Sequence, residues 1–136
     1  PLSMSSKNDL KKILANLQPT LREESFIFMH SEKPIATLIN NLNPIATFIE
    51  DEGSTLVISK EVADENSIHY ETVFRCISLG VHSSLESCGL IAKLSGALTE
   101  QNIPTNVFAG YFHDHIFVPS DKAKRAMVIL SSIESL

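Results

Sequence analysis

What the sequence lacks narrows its function before any motif is read. Basic residues are few: 11 Lys and Arg against 16 Asp and Glu leave a net charge of −5. Nucleic-acid affinity rests on clustered Lys and Arg that displace counterions, and the close basic group Lys122, Lys124 and Arg125 has a pattern that fits the solvated face of a short helix. No nucleic-acid partner is expected. Cysteine is scarce as well. Cys76 and Cys88 stand eleven residues apart, which is neither a redox pair nor half of a zinc site, so both are expected as buried free thiols. The longest uncharged stretch, Pro34 to Ile49, carries three asparagines and two prolines and cannot span a bilayer. With no signal-peptide pattern either, the chain is expected in the cytoplasm with no membrane partner. Glycine-rich phosphate loops and the Gly-x-Ser-x-Gly elbow are missing, which removes the usual nucleotide and hydrolase signatures.

What remains is an ordinary globular composition, 43% hydrophobic and 20% charged in 136 residues. A chain of this size buries about 65–70% of its unfolded surface and needs no disulfide or metal to fold. Pro1-Leu2-Ser3, ahead of Met4, read as a remnant foreign to the fold.

Periodicity places the elements. Leu10, Ile13, Leu14 and Leu17 form one apolar stripe of a helix that Pro19 stops. Ser25 to His30 reads as a short buried strand, and Glu32 to Asn43 stays ambiguous. Ile45 to Glu50 and Thr55 to Ser59 make a hairpin through Asp51, Glu52 and Gly53, followed by a helical turn over Lys60 to Glu65 and a strand over Val73 to Leu79. Ser83 and Glu86 have the spacing of a capping box, which predicts a helix carrying Leu85, Cys88, Ile91, Ala92, Ser95 and Leu98 on one side. Thr105 to Ala109 and His115 to Val118 form a second hairpin. Ser120 then caps a last helix with Ala123, Ala126, Met127, Leu130 and Ile133 inward.

The two halves superpose at an offset of sixty residues without a gap: Pro44 falls on Pro104, Phe48 on Phe108, Leu56-Val57-Ile58 on Ile116-Phe117-Val118, and Ala63 on Ala123. Each half reads as strand, crossover, hairpin, helix, with a first crossover (Ser31 to Asn43) much shorter than the second (Gly80 to Ile103). The expected fold class is α+β, a tandem of ferredoxin-like βαββαβ units with antiparallel sheets and helices on one face. The expected division is residues 1–24 as remnant and helix, 25–69 as a first unit and 70–136 as a second, the two sharing one continuous core.

Phe26-Ile27-Phe28, Phe48-Ile49 with Gly53-Ser54-Thr55-Leu56-Val57-Ile58, Arg75-Cys76-Ile77-Ser78-Leu79, Gly89-Leu90-Ile91-Ala92, Ile103-Pro104 and Phe112-His113-Asp114-His115-Ile116-Phe117-Val118-Pro119 together resemble the tandem ACT-domain family. That family includes the regulatory parts of aspartokinases and the arginine sensor of animal nutrient signalling. The resemblance implies a dimeric, non-catalytic protein binding a small metabolite between units, and no cofactor. It departs from the family in its last strand: nothing after Ile133 completes a second unit, so another segment or a partner chain must cover that sheet edge.

An amino-acid ligand would need an anion site and an acid. The loop Gly80, Val81, His82, Ser83 and Ser84, read as a helix N-terminus, offers free N–H groups to a carboxylate. Asp114 matches the family's ligand-facing acid and would take the ammonium. His113 and His115, with His82 and His69, raise a metal reading, but a zinc site needs three or four converging ligands and none is expected. A hydrolase built from Ser83 or Ser84, His82 and Asp114 would need adjacent residues to meet in an unfavourable geometry. The rival reading is an interaction module that pairs with a second copy and has no ligand.

Overall fold

A computed structural model describes residues 7–133; residues 1–3, where a remnant is expected, lie outside them. The elements in chain order are α1 (Lys7–Ala15), β1 (Pro19–Ser31), a 3-10 turn (Ile35–Thr37), α2 (Ile39–Leu42), β2 (Ala46–Glu50), β3 (Gly53–Ser59), α3 (Lys60–Glu65), β4 (Phe74–Leu79), α4 (Leu90–Thr99), β5 (Asn106–Ala109), β6 (Asp114–Pro119), a second 3-10 turn (Ser120–Lys122) and α5 (Ala123–Ser131). They fall into two compact units, residues 23–75 and the residues before and after them.

In the unit 23–75 the strand order is β2–β3–β1. β2 and β3 form the expected hairpin, with Glu50 opposite Gly53, and β3 pairs antiparallel with β1, Ile27 opposite Ile58. Alternation then puts Ile27, Leu56 and Ile58 on one face, where they pack with Leu42 and Ala63 of the helices. On the other face Phe28 meets Phe74 edge-on at 5.0 Å. Ser59 starts α3 by accepting the Val62 N–H at 3.1 Å. The ambiguous crossover is a 3-10 turn and one four-residue helix, of which only Leu42 is buried.

The second unit joins α1 and the start of β1 to everything from Cys76 onward. Its strand order is β1–β4–β6–β5. The strand missing from the C-terminal half is therefore supplied from within the chain, by residues 19–22 beside β4, and next to it the Gly80 and Val81 N–H groups donate to the Gln18 and Leu17 carbonyls at 2.9 and 3.2 Å. Ile77, Leu79, Ile116 and Val118 point to the helical face and pack with Ile13, Leu14 and Leu17 from the N-terminal segment, Leu90, Leu94 and Leu98 of α4, and Ala126 and Leu130 of α5. Strand β1 is longer than the Ser25–His30 expectation because its first half, Thr20 to Glu24, is held by backbone pairing and carries no hydrophobic alternation to read.

Each unit has a buried hydrophobic cluster of its own. Three expectations are corrected. The long crossover helix begins at Leu90, not after His82. Around Ser83 the chain makes an isolated turn, in which Ser84 Oγ accepts the Glu86 N–H at 3.1 Å and the Ser84 carbonyl accepts the Ser87 N–H at 3.0 Å. Gly89, at φ 99°, then redirects the backbone into the helix. In consequence Leu85 and Cys88 lie outside the helix and are exposed, so only Cys76 is a buried thiol. Finally, Ser120 does not cap α5 with its side chain. The position matching Ser59 is Pro119, which has no hydroxyl, and the chain enters α5 through a 3-10 turn closed by the Ala123 N–H on the Ser120 carbonyl.

Candidate functional site

The loop after β4 and the hairpin β5–β6 belong to the same unit, and several of the expected site residues meet there. Asp114 opens β6 opposite Ala109 and is 9% exposed. Its Oδ2 accepts a hydrogen bond from Ser83 Oγ at 3.3 Å. The Val81 carbonyl accepts one from His113 Nδ1 at 3.3 Å. The exposed His82 ring stacks on Phe112 at 5.2 Å and meets His113 edge-on at 6.0 Å. Val81, His82 and Ser83 are thus tied to the hairpin tip. Ser84 is not: its hydroxyl serves its own turn. Gly80 holds the end of β4 against the N-terminal segment, where a Cβ would lie 2.8 Å from Gln18 Oε1 and 2.9 Å from its Cβ.

The basis for an anion site at this loop is corrected with the helix start. Gly80 and Val81 donate to backbone carbonyls, Glu86 and Ser87 donate within the Ser84 turn, and the first turn of α4 lies further along the chain at Leu90. What the loop and hairpin present is a nearly buried carboxylate beside an aromatic surface.

Two features escaped the sequence reading. The first is the aromatic tip, Tyr111 and Phe112, 75% and 57% exposed and 5.0 Å apart edge-on. The signal was available in the repeat, since the matching turn in the other hairpin is Asp51-Glu52, the polar chemistry a two-residue turn ordinarily has. The second is a relay beside Asp114 on β6. Arg22 Nε donates to Ser78 Oγ at 3.0 Å, and Ser78 Oγ lies 2.8 Å from His115 Nδ1. Burial, then the charges of Arg22 and His113, lower the His115 pKa, with Asp114 opposing. A neutral ring accepts the Ser78 proton at Nδ1, which fits a hydroxyl that already accepts from Arg22.

Other chemistries find less to work with. Among the described residues no three His, Cys, Asp or Glu side chains gather as metal ligands. Ser83 meets the Asp114 carboxylate directly while the His82 ring lies on Phe112, so Ser83, His82 and Asp114 do not form a relay. Among the described residues no helix is long and apolar enough to cross a membrane.

Comparison with known proteins places this arrangement. Two ACT-domain models match in tandem, over residues 5–75 and 71–132. The chain belongs to the ACT-domain family. A Vibrio cholerae protein of unknown function, described as a possible transport protein, is 38% identical over 92% of this chain and 95% of its own, with a TM-score of 0.83. The ligand-free regulatory subunit of aspartate kinase from Thermus thermophilus shares 13% identity over 87% of this ACT chain and 97% of its own, at a TM-score of 0.62. The allosteric aspartate kinase of Clostridium acetobutylicum shares 11% over 86% of this chain and 34% of its own, at 0.64. At these low identities the likeness to the kinases is one of fold, the ferredoxin-like tandem ACT architecture. No curated protein matches the sequence.

Proposed function

We propose that this tandem ACT chain is a non-catalytic, cytoplasmic regulatory protein that binds a small ammonium-bearing metabolite, an amino acid first among them, at Val81, His82, Ser83 and Asp114, with Gly80 and Ser84 shaping the loop. The observation that carries the reading is the Asp114 carboxylate, 9% exposed and held by the neutral hydroxyl of Ser83. A carboxylate largely withdrawn from water gains most from a cationic donor, and a ligand ammonium is one. The exposed His82 and Phe112 rings offer donor and apolar contacts to the rest of the molecule. Two or three charge-assisted hydrogen bonds at ~1.5–3 kcal/mol each suffice for the ~4–8 kcal/mol of a millimolar to micromolar sensor.

Calorimetry of the protein against each of the twenty amino acids tests this. Heat with at least one of them, abolished in Asp114→Ala without loss of the folded circular-dichroism spectrum, is expected; no heat with any at millimolar concentration sinks the reading. A second reading, pairing with another copy through a sheet edge, is favoured by one observation: β2, first in the strand order, exposes Phe48 and Ile49.

A further inference from the structure

The two crossovers of the repeat differ in what they cover. In the longer one α4 lays Leu90, Leu94 and Leu98 on its sheet, all buried. The shorter one spends its length on a 3-10 turn and the four residues of α2, and Leu42 is the only buried residue in those two elements. Beside it, between the end of β1, the crossover and the segment after α3, lies a cavity of about 280 Å³. Its apolar lining includes Met29, Leu42 and Ile68, all three of which belong to the hydrophobic cluster of this unit. Its polar lining includes Lys33, Asn41 and Asn66.

Charge makes the lining selective. Among the described residues that line the cavity none is Asp or Glu, in a chain whose net charge is −5. Lys33 is the one ammonium there. The other titratable group, His30, donates from Nε2 to the Glu52 carbonyl at 2.7 Å, which occupies that nitrogen. A lysine, two amides and apolar side chains lining one cavity match a molecule with an anionic head and a short aliphatic tail. The volume lies at the low end of ligand pockets, on the order of 300 Å³ and upward, which limits the tail to a few carbons. Inorganic phosphate would leave the apolar lining wet, and an amine would face Lys33 with like charge.

We infer that this cavity is a second ligand site, for a short-chain aliphatic monocarboxylate held at Lys33. It is independent of Asp114 and of the amino-acid reading.

The test is an amide-resolved NMR titration of the full chain with butyrate and hexanoate, with butylamine and inorganic phosphate as comparison probes. Saturable shifts confined to residues around Lys33, Asn41 and Ile68 are expected with the carboxylates at about millimolar concentration. Lys33→Ala should weaken binding about tenfold or more, and Lys33→Arg should largely restore it. Lys33 is exposed, so both variants are expected to fold, and an unchanged spectrum away from the site verifies it. Asp114→Ala should leave these shifts intact, which separates failure of one site from failure of the other. No saturable shift at about 20 mM carboxylate, equal shifts with butylamine or phosphate, or undiminished binding in Lys33→Ala would each overturn the inference.

Discussion

Ser54 and Asp114, sixty residues apart, hold the same place in two hairpins of identical register. Ser54 stands opposite Ile49 and Asp114 opposite Ala109, and both are buried polar residues, 6% and 9% exposed. The position tolerates a small hydroxyl, and in one repeat only it holds an acid, bonded to Ser83 from the long crossover. Asp114→Ser therefore transplants the other repeat's solution. The substitution should change stability by no more than about 1 kcal/mol, because the carboxylate is held by a neutral hydroxyl and its desolvation is relieved. Ligand affinity should fall about 10- to 100-fold with the loss of the charge-assisted bond. Thermal melting and calorimetry on the same variant read the two effects separately. A collapse in Tm would make Asp114 a structural residue.

His115 should make stability depend on pH. Its pKa is lowered from the ordinary 6.5, by burial first and then by Arg22 and His113, against the pull of Asp114. Between the folded and unfolded values the unfolded chain binds more protons, so stability rises with pH. The contribution is fully present above about 6.5 and is lost as the pH falls through the folded-state value. His115→Asn keeps an acceptor for Ser78 and removes the titration. Melting between about pH 7 and about pH 5 should show a decline in the parent protein that is shallower in the variant. Equal slopes in the two would remove His115 from the account.

The two thiols should separate cleanly. Cys76 is fully buried in β4, while Cys88 is exposed in the loop before Gly89. Reaction with an aromatic disulfide under native conditions should modify one thiol per chain quickly and the second only on unfolding, since a thiol must be reached to react. Cys88→Ser should abolish the fast phase. Two fast thiols would mean that β4 opens far more readily than its burial allows.

The elements that could be read from the sequence are those whose cause is local. The hairpin around Asp51 and Glu52, the helix Lys60–Glu65, and the stripe Ile13, Leu14, Leu17 all follow from spacing over a few residues. Of the candidate site, the sequence points to the loop 80–84 and to Asp114, and the structure brings Ser83 to Asp114. The mechanism of that loop was not legible, because whether Ser83 caps a helix depends on a partner 31 positions away that competes for its hydroxyl. Gly89 carried the true start of α4, through a positive φ that residue spacing does not reveal. The aromatic tip was missed for a different reason. The expected hairpin leaves Tyr111 and Phe112 in its turn, but residue spacing gives no sign that two aromatics there stand exposed and in contact.

The last expectation concerns the edge of the 23–75 unit. β2 comes first in the strand order, and it exposes Phe48 and Ile49, 65% and 71%, with no charge between Ile45 and Ile49. Natural edge strands are ordinarily guarded by lysine, proline or a bulge, and an unguarded one is a template for pairing. Its counterpart β5 differs in side chains: Phe108 lies against Phe117 at 5.6 Å, and Ala109 replaces Ile49. Antiparallel pairing of two β2 strands about a two-fold axis would cover the same residues on both copies. Phe48→Lys and Ile49→Lys should each shift the protein toward monomer in sedimentation equilibrium, since a like charge would face itself across the axis. Val128→Lys, at an equally exposed position on α5, should not. A parent protein that sediments as a monomer at every concentration, or a Phe48→Lys variant that stays dimeric, would take β2 out of any interface.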